Sequence, residues 1–204
     1  MEKWEKCALR TAKKQMRKAI DPEQRTLWDS RIVHNIVDNP TYQNAQILMS
    51  YCAMGGEVDL QSLHQLAHQQ GKRVAFPYCT SGTEMIALEP LGPESWEKGC
   101  YGIWAPVPSR SRIIQPDQLE LVLCPCTAFD GRGHRLGMGG GYYDRCLAQL
   151  DCCAVGLIRA EFLLDALPTA WNDMPVAAVV TEQGILRPQE KPGLPEEPRS
   201  LTGC

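Results

Sequence analysis

Continuous apolar runs alternate with segments of helical periodicity along the chain. The apolar runs predict buried strands at 46–51, 74–78, 85–88, 119–124, 154–158 and 176–181. Helical spacing predicts a helix that begins after Asp21, a second over 59–70, a third within 139–150 beyond the glycines, and a short one over 161–167. Buried strands separated by helices are typical of a mostly parallel sheet with helices on both faces. We therefore expect a single α/β domain of this kind.

Residues at the ends of the helices support these boundaries. Asp21 is a good N-cap, and Pro22 suits the first turn that follows it. Asp59 is expected to cap the helix over 59–70, and Gly71 to end it. The apolar stripe of the first helix consists of Leu27, Ile32, Val33, Ile36 and Val37.

Two segments lack a clear period. Residues 92–116 are rich in proline and glycine, so they are expected to form one long loop, and loops of this length tend to be lids or binding loops. From residue 188 onward, prolines stand among charges, which is typical of a flexible tail. We therefore place the domain at 1–187 and a flexible tail at 188–204.

Composition narrows the class of protein. Of the 204 residues, 44% are hydrophobic and 22% are charged, and the formal net charge is −3. These values are typical of a soluble globular protein and exclude a disordered, collagen-like or nucleic-acid-coating chain. No apolar run is long enough for a secretion signal or a membrane span. The ten cysteines are expected to be reduced, and none is spaced as in a zinc site.

The cationic residues near the start of the chain and a pair of histidines each allow two interpretations, binding or a purely structural role. Residues 1–20 carry seven lysines and arginines against two glutamates, a balance of +5, so the rest of the chain carries −8. Such a cationic helix can bind an anion or simply be solvated. His64 and His68 share a helix face, but no third ligand is near, so we expect them to be surface residues rather than metal ligands.

The segment 129–145 is the strongest candidate for a binding site. Six of the 17 glycines fall between 131 and 141. Glycines let backbone amides surround an anion, and a helix that starts beyond them adds its N-terminal dipole. Arg132, Arg135 and Arg145 supply positive charge. A flexible turn is the alternative, but it does not explain the arginines and tyrosines, so we predict a phosphate-binding loop that is not a standard P-loop.

Three carboxylates lie near this segment or near predicted strands. Asp144 could hold Mg²⁺ on nucleotide phosphates or cap the next helix. Asp173 could be a turn residue or a second metal ligand. Because Asp59 is expected to cap a helix, Glu57 has no structural role left and is a candidate for binding a polar ligand. Flat surfaces for a ring system are available at Tyr101, Trp104, Tyr142 and Tyr143.

Several motifs together resemble those of the 5-formyltetrahydrofolate cyclo-ligases, also called methenyltetrahydrofolate synthetases. The most distinctive is the run RLGMGGGYYDR at 135–145. Shorter matches stand in the family's order, at 6–10 (KCALR), 57–59 (EVD), 71–77 (GKRVAFP) and 172–174 (NDM). The resemblance spans roughly residues 3–182, which is most of the chain.

The resemblance implies a cytoplasmic enzyme with a single α/β domain. Such an enzyme uses ATP and Mg²⁺ to convert 5-formyltetrahydrofolate into 5,10-methenyltetrahydrofolate, with release of ADP and phosphate. ATP would phosphorylate the formyl oxygen, and the folate N10 would then attack the formyl carbon and expel phosphate. This chemistry needs positioning and charge neutralisation, not a side-chain nucleophile. The partners would be these small molecules, with no nucleic acid and no membrane, and we expect a monomer.

The resemblance also implies a role for each matching residue. ATP would be bound by Lys6, Arg10, Arg135, Leu136, Gly137, Met138, Gly139, Gly140, Gly141, Tyr142 and Tyr143. The folate would be bound by Met54, Glu57, Tyr101, Met138, Gly139, Gly140, Gly141 and Tyr142. Asp144 and Asp173 would hold magnesium.

The chain departs from the family pattern at two places. Some members carry basic residues in the glycine loop where Met138 and Gly140 stand, so Arg132 would have to assist the other cations. In the long loop, either Tyr101 or Trp104 could stack on the pterin.

Two other functions stay open on sequence alone. One is a different enzyme on a similar framework, such as a sugar-phosphate isomerase or a coenzyme A transferase. The other is a nucleotide- or folate-binding regulator without turnover.

Overall fold

The computed structural model describes residues 2–80, 82–99 and 102–188. The helices are α1 (Glu2–Ala19), α2 (Pro22–Val37), α3 (Pro40–Asn44), α4 (Gln61–Gln69) and α5 (Tyr142–Leu147). The strands are β1 (Ile47–Met49), β2 (Arg73–Cys79), β3 (Met85–Pro90), β4 (Trp96–Lys98), β5 (Trp104–Pro106), β6 (Ser111–Ile114), β7 (Leu121–Cys124), β8 (Ala128–Asp130), β9 (Arg135–Leu136), β10 (Cys153–Leu157), β11 (Leu163–Leu164), β12 (Ala178–Thr181) and β13 (Gly184–Leu186).

An eight-stranded sheet organises the domain, in the order β13-β12-β10-β7-β1-β2-β3-β6. The five central strands, from β12 to β2, run parallel to one another. The outer strands, β13 at one end and β3 and β6 at the other, are antiparallel to their neighbours. The α/β domain with a mostly parallel sheet is therefore confirmed.

Helices cover both faces of this sheet. On one face, α2 and α4 bury Ile32, Ile36 and Leu63 in a core that includes residues of β1, β7 and β10. On the other face, Leu147 of α5 and Phe162 lie in a second buried core. Because the central strands are buried on both faces, their sequences are continuous apolar runs and do not alternate.

The predicted helix ends are largely confirmed. The Asp21 carboxylate accepts hydrogen bonds from the amides of Glu23 and Gln24, both at 3.0 Å. The Asp59 carboxylate accepts the amide of Gln61 at 2.9 Å, but the N-cap of α4 is Leu60, one position later than predicted. The prediction that Leu27 belongs to the buried apolar stripe of α2 is wrong, because Leu27 is 48% exposed. It lies five positions before Ile32, about 140° around the helix, and so faces solvent.

Two predictions of local structure are wrong. Residues 92–116 are not one loop: β4 and β5 pair as an antiparallel hairpin, and β6 joins the main sheet next to β3. The helix over 161–167 is a single 3-10 turn, Ala160–Phe162, followed by β11. In both places the strands have only two to four residues, and such short runs carry too little periodicity to reveal them.

His64 is not the surface residue that its helical spacing predicted. Its imidazole Nε2 lies 2.7 Å from the Ser50 hydroxyl, and its ring packs edge-on against Phe76 with centroids 5.0 Å apart. His68, one turn later, is exposed as predicted. The eight cysteines among the described residues are all free.

Residues 189–204 lie outside the described residues, so the predicted tail at 188–204 stays a prediction. Within the described part of the chain, no helix is both long enough and apolar enough to cross a membrane.

Gly156, in the centre of β10, is expected to tolerate no side chain. A Cβ atom there would lie 2.2 Å from the buried ring of Phe129. Gly156→Ala should therefore cost about 1–3 kcal/mol of unfolding free energy through overpacking. Urea denaturation measures the loss, with Gly92→Ala as the control, because a Cβ at Gly92 would meet nothing within 4 Å. Equal unfolding midpoints for the two variants would contradict this account.

Candidate functional site

A cavity of about 530 Å³ opens at the carboxyl ends of β1, β2 and β7. This is the sheet edge where ligands bind in open α/β folds. All the residues that the resemblance placed in the ATP and metal sites line this cavity, namely Lys6, Arg10, the ten residues 135–144, and Asp173. Two of the expected folate-binding residues, Met54 and Glu57, line it as well. Tyr101 lies outside the described residues.

The glycine-rich segment is divided into two parts with different roles. Residues 128–136 form a hairpin of β8 and β9. The buried Asp130 holds its turn, accepting the amides of Arg132 and His134 at 3.0 Å and the Arg132 guanidinium at 2.9 Å. Arg132 therefore pairs with Asp130 and does not line the cavity. Its expected contribution to the neutralisation of phosphate charge is not supported. Within this segment, the glycines from Gly137 onward line the cavity, and Gly131 and Gly133 do not.

The second part, from Gly137 to Gly141, is built for close approach of a ligand to backbone. Gly139 and Gly141 adopt φ of +105° and +65°, conformations that favour glycine. A Cβ at Gly140 would lie 2.8 Å from the Tyr142 ring. Among the described residues, no acceptor takes the amides of residues 139–141. These amides are therefore available to an anion.

Arg145 holds the loop from outside the cavity. Its guanidinium donates to the carbonyls of Gly140 and Thr83, both at 2.8 Å. These bonds tie the loop to the segment before β3. Arg145 therefore positions the glycines, which differs from the direct phosphate contact that the sequence suggested.

Two cations of α1 reach the loop and its neighbour across long stretches of chain. Arg10 Nε donates to the Gly137 carbonyl at 2.7 Å, although the two residues are 127 positions apart. Lys6 Nζ lies 2.7 Å from an Asp173 carboxylate oxygen, 167 positions away. The cationic helix at the start of the chain is therefore packed against the cavity and not merely solvated.

Arg135 connects the glycine loop to the segment before the last parallel strand. It is buried, and its guanidinium lies 2.5 Å from an Asp144 carboxylate oxygen and donates to the Met174 carbonyl at 2.7 Å. The same oxygen of Asp144 accepts the Met174 amide at 3.2 Å. Asp144 is thus held by Arg135 and Met174 and does not cap α5.

The two carboxylates predicted to hold metal both lie on this cavity. Asp144 accepts the amide of Met174, the residue next to Asp173, so the two carboxylates lie in adjoining positions. Asp173 also accepts the Ala170 amide at 2.8 Å, as expected of the turn residue that the sequence allowed. Within the described ranges, no group of three His, Cys, Asp or Glu side chains could hold a metal. Two carboxylates suit Mg²⁺, which usually takes one or two protein oxygens together with phosphate and water.

Glu57 also lines the cavity, in the turn that follows β1. It is 9% exposed, and its carboxylate accepts the Met54 amide at 3.1 Å. Gly55 and Gly56 make this turn with φ of +56° and +82°. Burial raises the pKa of Glu57 to about 7, from an ordinary 4.5, and the hydrogen bond from Met54 and the charge of Arg17 offset only part of that rise. The carboxyl group therefore changes protonation near neutral pH, as groups at functional sites often do.

Glu57 should make stability depend on pH between 4.5 and 7. In this window the folded protein keeps a proton that the unfolded chain has lost, so stability is full below pH 4.5 and falls as the pH rises towards 7. The shift corresponds to about 3 kcal/mol. Glu57→Gln should flatten this part of the profile, measured as the difference between the urea unfolding profiles of wild type and variant. Parallel profiles would show that the pKa of Glu57 is unshifted.

Several cavity residues were not singled out from the sequence. They are Tyr51, Cys52, Tyr78, Pro125 and Cys126, together with Phe76, Pro77 and Asn172, which stood within the shorter motif matches without a role. Most of them lie at or just beyond the carboxyl ends of β1, β2 and β7, so strand position was the available signal. Trp104, one of the two aromatic candidates in the long loop, lines the cavity and is 55% exposed.

Fold and cavity together define an α/β protein with a glycine-rich loop beside a cavity at the carboxyl edge of a parallel sheet. The model of the 5-formyltetrahydrofolate cyclo-ligase family matches residues 2–182. The 5-formyltetrahydrofolate cyclo-ligases of Escherichia coli K12 and Haemophilus influenzae are 29% and 27% identical, over 84% and 82% of this chain and 97% and 92% of theirs. The NMR structure of Aquifex aeolicus 5,10-methenyltetrahydrofolate synthetase matches with a TM-score of 0.81 and 28% identity, covering 96% of this chain and 98% of that one. The chain belongs to the 5-formyltetrahydrofolate cyclo-ligase family, and it is an enzyme of that class.

Proposed function

We propose that this enzyme uses ATP, with Mg²⁺, to close 5-formyltetrahydrofolate to 5,10-methenyltetrahydrofolate, releasing ADP and phosphate. One observation carries the proposal. The free amides of the loop after Gly137, the cations Arg10 and Arg135, and the Glu57 carboxyl face a single cavity. This arrangement suits a phosphate donor beside the loop and a polar ring system beside Glu57.

The chemistry explains why these groups are sufficient. A formamide oxygen is a poor leaving group, so it must be activated before the ring can close. In the proposed reaction the formyl oxygen attacks the terminal phosphorus of ATP and ADP leaves. N10 then attacks the formyl carbon and loses its proton, and the carbon–oxygen bond breaks with release of phosphate. The protein has to align the two substrates and neutralise phosphate charge, which amides and guanidinium groups do.

Magnesium fits the proposal through Asp144 and Asp173. When bound there with the nucleotide, it would neutralise phosphate charge and orient the transferred group. In the described structure the two carboxylates hold the cations Arg135 and Lys6. Both positions therefore already stabilise positive charge beside the loop.

Absorbance of methenyltetrahydrofolate tests the function directly. Purified protein is mixed with 5-formyltetrahydrofolate, with ATP and Mg²⁺ each present or omitted. A signal that needs all three is the expected result. Tight binding of ATP and folate without turnover would instead favour a regulator, and preference for a sugar phosphate or an acyl-coenzyme A would favour another enzyme. Cytoplasmic location and a monomeric state stay predictions from the resemblance.

A further inference from the structure

A second cavity, of about 730 Å³, adjoins the first. The two share a wall made of the residues Tyr51, Cys52, Met54, Glu57, Phe76 and Trp104. From this wall the second cavity extends between α2 and α4 towards β2 and β3, past Arg25, His68 and Arg73. The two cavities therefore adjoin at Glu57, which lines both of them.

The first cavity is small for the two substrates of the proposed reaction. Its volume of about 530 Å³ lies within the range of roughly 300–1,000 Å³ that a single drug-sized ligand occupies. ATP and the pterin ring must both reach it for phosphoryl transfer. The rest of the folate, an aminobenzoyl ring followed by a glutamate with two carboxylates, needs space elsewhere.

The carboxylates that line the second cavity already have partners within the protein. Asp29 pairs with Arg159, and Glu89 pairs with Arg73 and Arg112. Asp59 accepts the first amide of α4. The pKa of Glu57 is raised to about 7 by burial, which reduces its negative charge at neutral pH.

Arg25 is an arginine of this cavity whose guanidinium has no partner within the described part of the chain. Three arginines of the described chain are half-buried: Arg10, Arg25 and Arg73. Arg10 bonds the Gly137 carbonyl and Arg73 bonds Glu89, but the Arg25 guanidinium meets no hydrogen-bond or ion-pair partner among the described residues. A half-buried guanidinium that lines a cavity and lacks an acceptor is suited to a ligand carboxylate.

We infer that the second cavity holds the aminobenzoyl-glutamate end of the folate, with Arg25 binding a glutamate carboxylate. The inference rests on the proposed function. The pterin would lie at Glu57, and the aminobenzoyl ring would cross the shared wall beside the exposed indole of Trp104. Arg25 is a specificity residue, because it contacts the end of the substrate that does not react.

Binding of two ligands that differ only in the glutamate tests the inference. Calorimetry gives Kd for 5-formyltetrahydrofolate and for 5-formyltetrahydropteroate, which ends at the aminobenzoate, with and without a non-hydrolysable ATP analogue. Arg25→Gln should weaken binding of the glutamate-bearing ligand about tenfold, as expected for loss of one charge-assisted contact. Binding of the pteroate should not change. Arg25→Lys should restore part of the loss, and Arg31→Gln, an exposed arginine on the same helix, is the matched control.

The outcomes separate this inference from the proposed function. An equal effect of Arg25→Gln on both ligands, or no effect on either, would overturn the assignment of the second cavity even if the wild type forms methenyltetrahydrofolate. The expected difference between the ligands without any methenyltetrahydrofolate would support the cavity and refute the reaction. Absence of folate binding by the wild type would refute both.

Discussion

Replacing Arg159 by methionine is expected to lower the free energy of unfolding by about 3–5 kcal/mol and to weaken folate binding. Arg159 is 1% exposed, and its guanidinium lies 2.7 Å from a carboxylate oxygen of Asp29. It also donates to the carbonyls of Gly56 at 2.8 Å and Glu57 at 3.3 Å. Without Arg159, Asp29 is left as a buried carboxylate without its cation, and the turn that carries Glu57 loses two donors.

A double variant separates the effect of Arg159 on stability from its effect on the turn that carries Glu57. Urea unfolding gives the loss for Arg159→Met, with Arg110→Met as the control, because Arg110 forms only an exposed ion pair and should cost less than about 1 kcal/mol. Adding Asp29→Leu removes the unpaired charge and should recover much of the stability. Folate affinity should stay low in the double variant, since the turn still lacks Arg159. A single-variant loss no larger than that of Arg110→Met would contradict the role of this buried pair.

Replacing Arg135 by methionine is expected to lower kcat/KM for ATP by about 100-fold, or about 2.7 kcal/mol of transition-state stabilisation. Arg135 lines the cavity beside the glycine loop, so its charge is available to the phosphates. It also holds Asp144 and the carbonyl of Met174, so its removal loosens a candidate magnesium ligand. Both effects act on the transferring phosphate rather than on the folate.

Steady-state kinetics with each substrate varied checks this prediction. The KM for folate should change little in Arg135→Met, whereas kcat and the KM for ATP should both be affected. Arg135→Lys keeps the charge but cannot reach both Asp144 and Met174, so it should fall between the wild type and Arg135→Met. The melting temperature of each variant shows whether it is folded. Unchanged ATP kinetics in a folded Arg135→Met protein would remove Arg135 from the site.

Local signals predicted most of the fold. The apolar runs, the cap at Asp21 and the hydrogen bond to Asp59 act within a strand or a single helical turn, so they can be predicted from neighbouring residues. The glycine run before Tyr142 and the carboxyl of Glu57 were recognised in the same way. The hairpin of β4 and β5 was missed because each of these strands has only three residues.

The sequence by itself determined the α/β class, the family, and the residue types of the candidate site. Only the tertiary structure decided which residues meet: Arg10 with Gly137, Lys6 with Asp173, and Arg159 with the turn at Glu57. It also separated the glycines that face the cavity from those of the Asp130 hairpin, and it left the Arg25 guanidinium without a partner among the residues that the structure describes. The physical reason is that these contacts join residues about 100 or more positions apart, and their geometry depends on how helices and loops pack on the sheet.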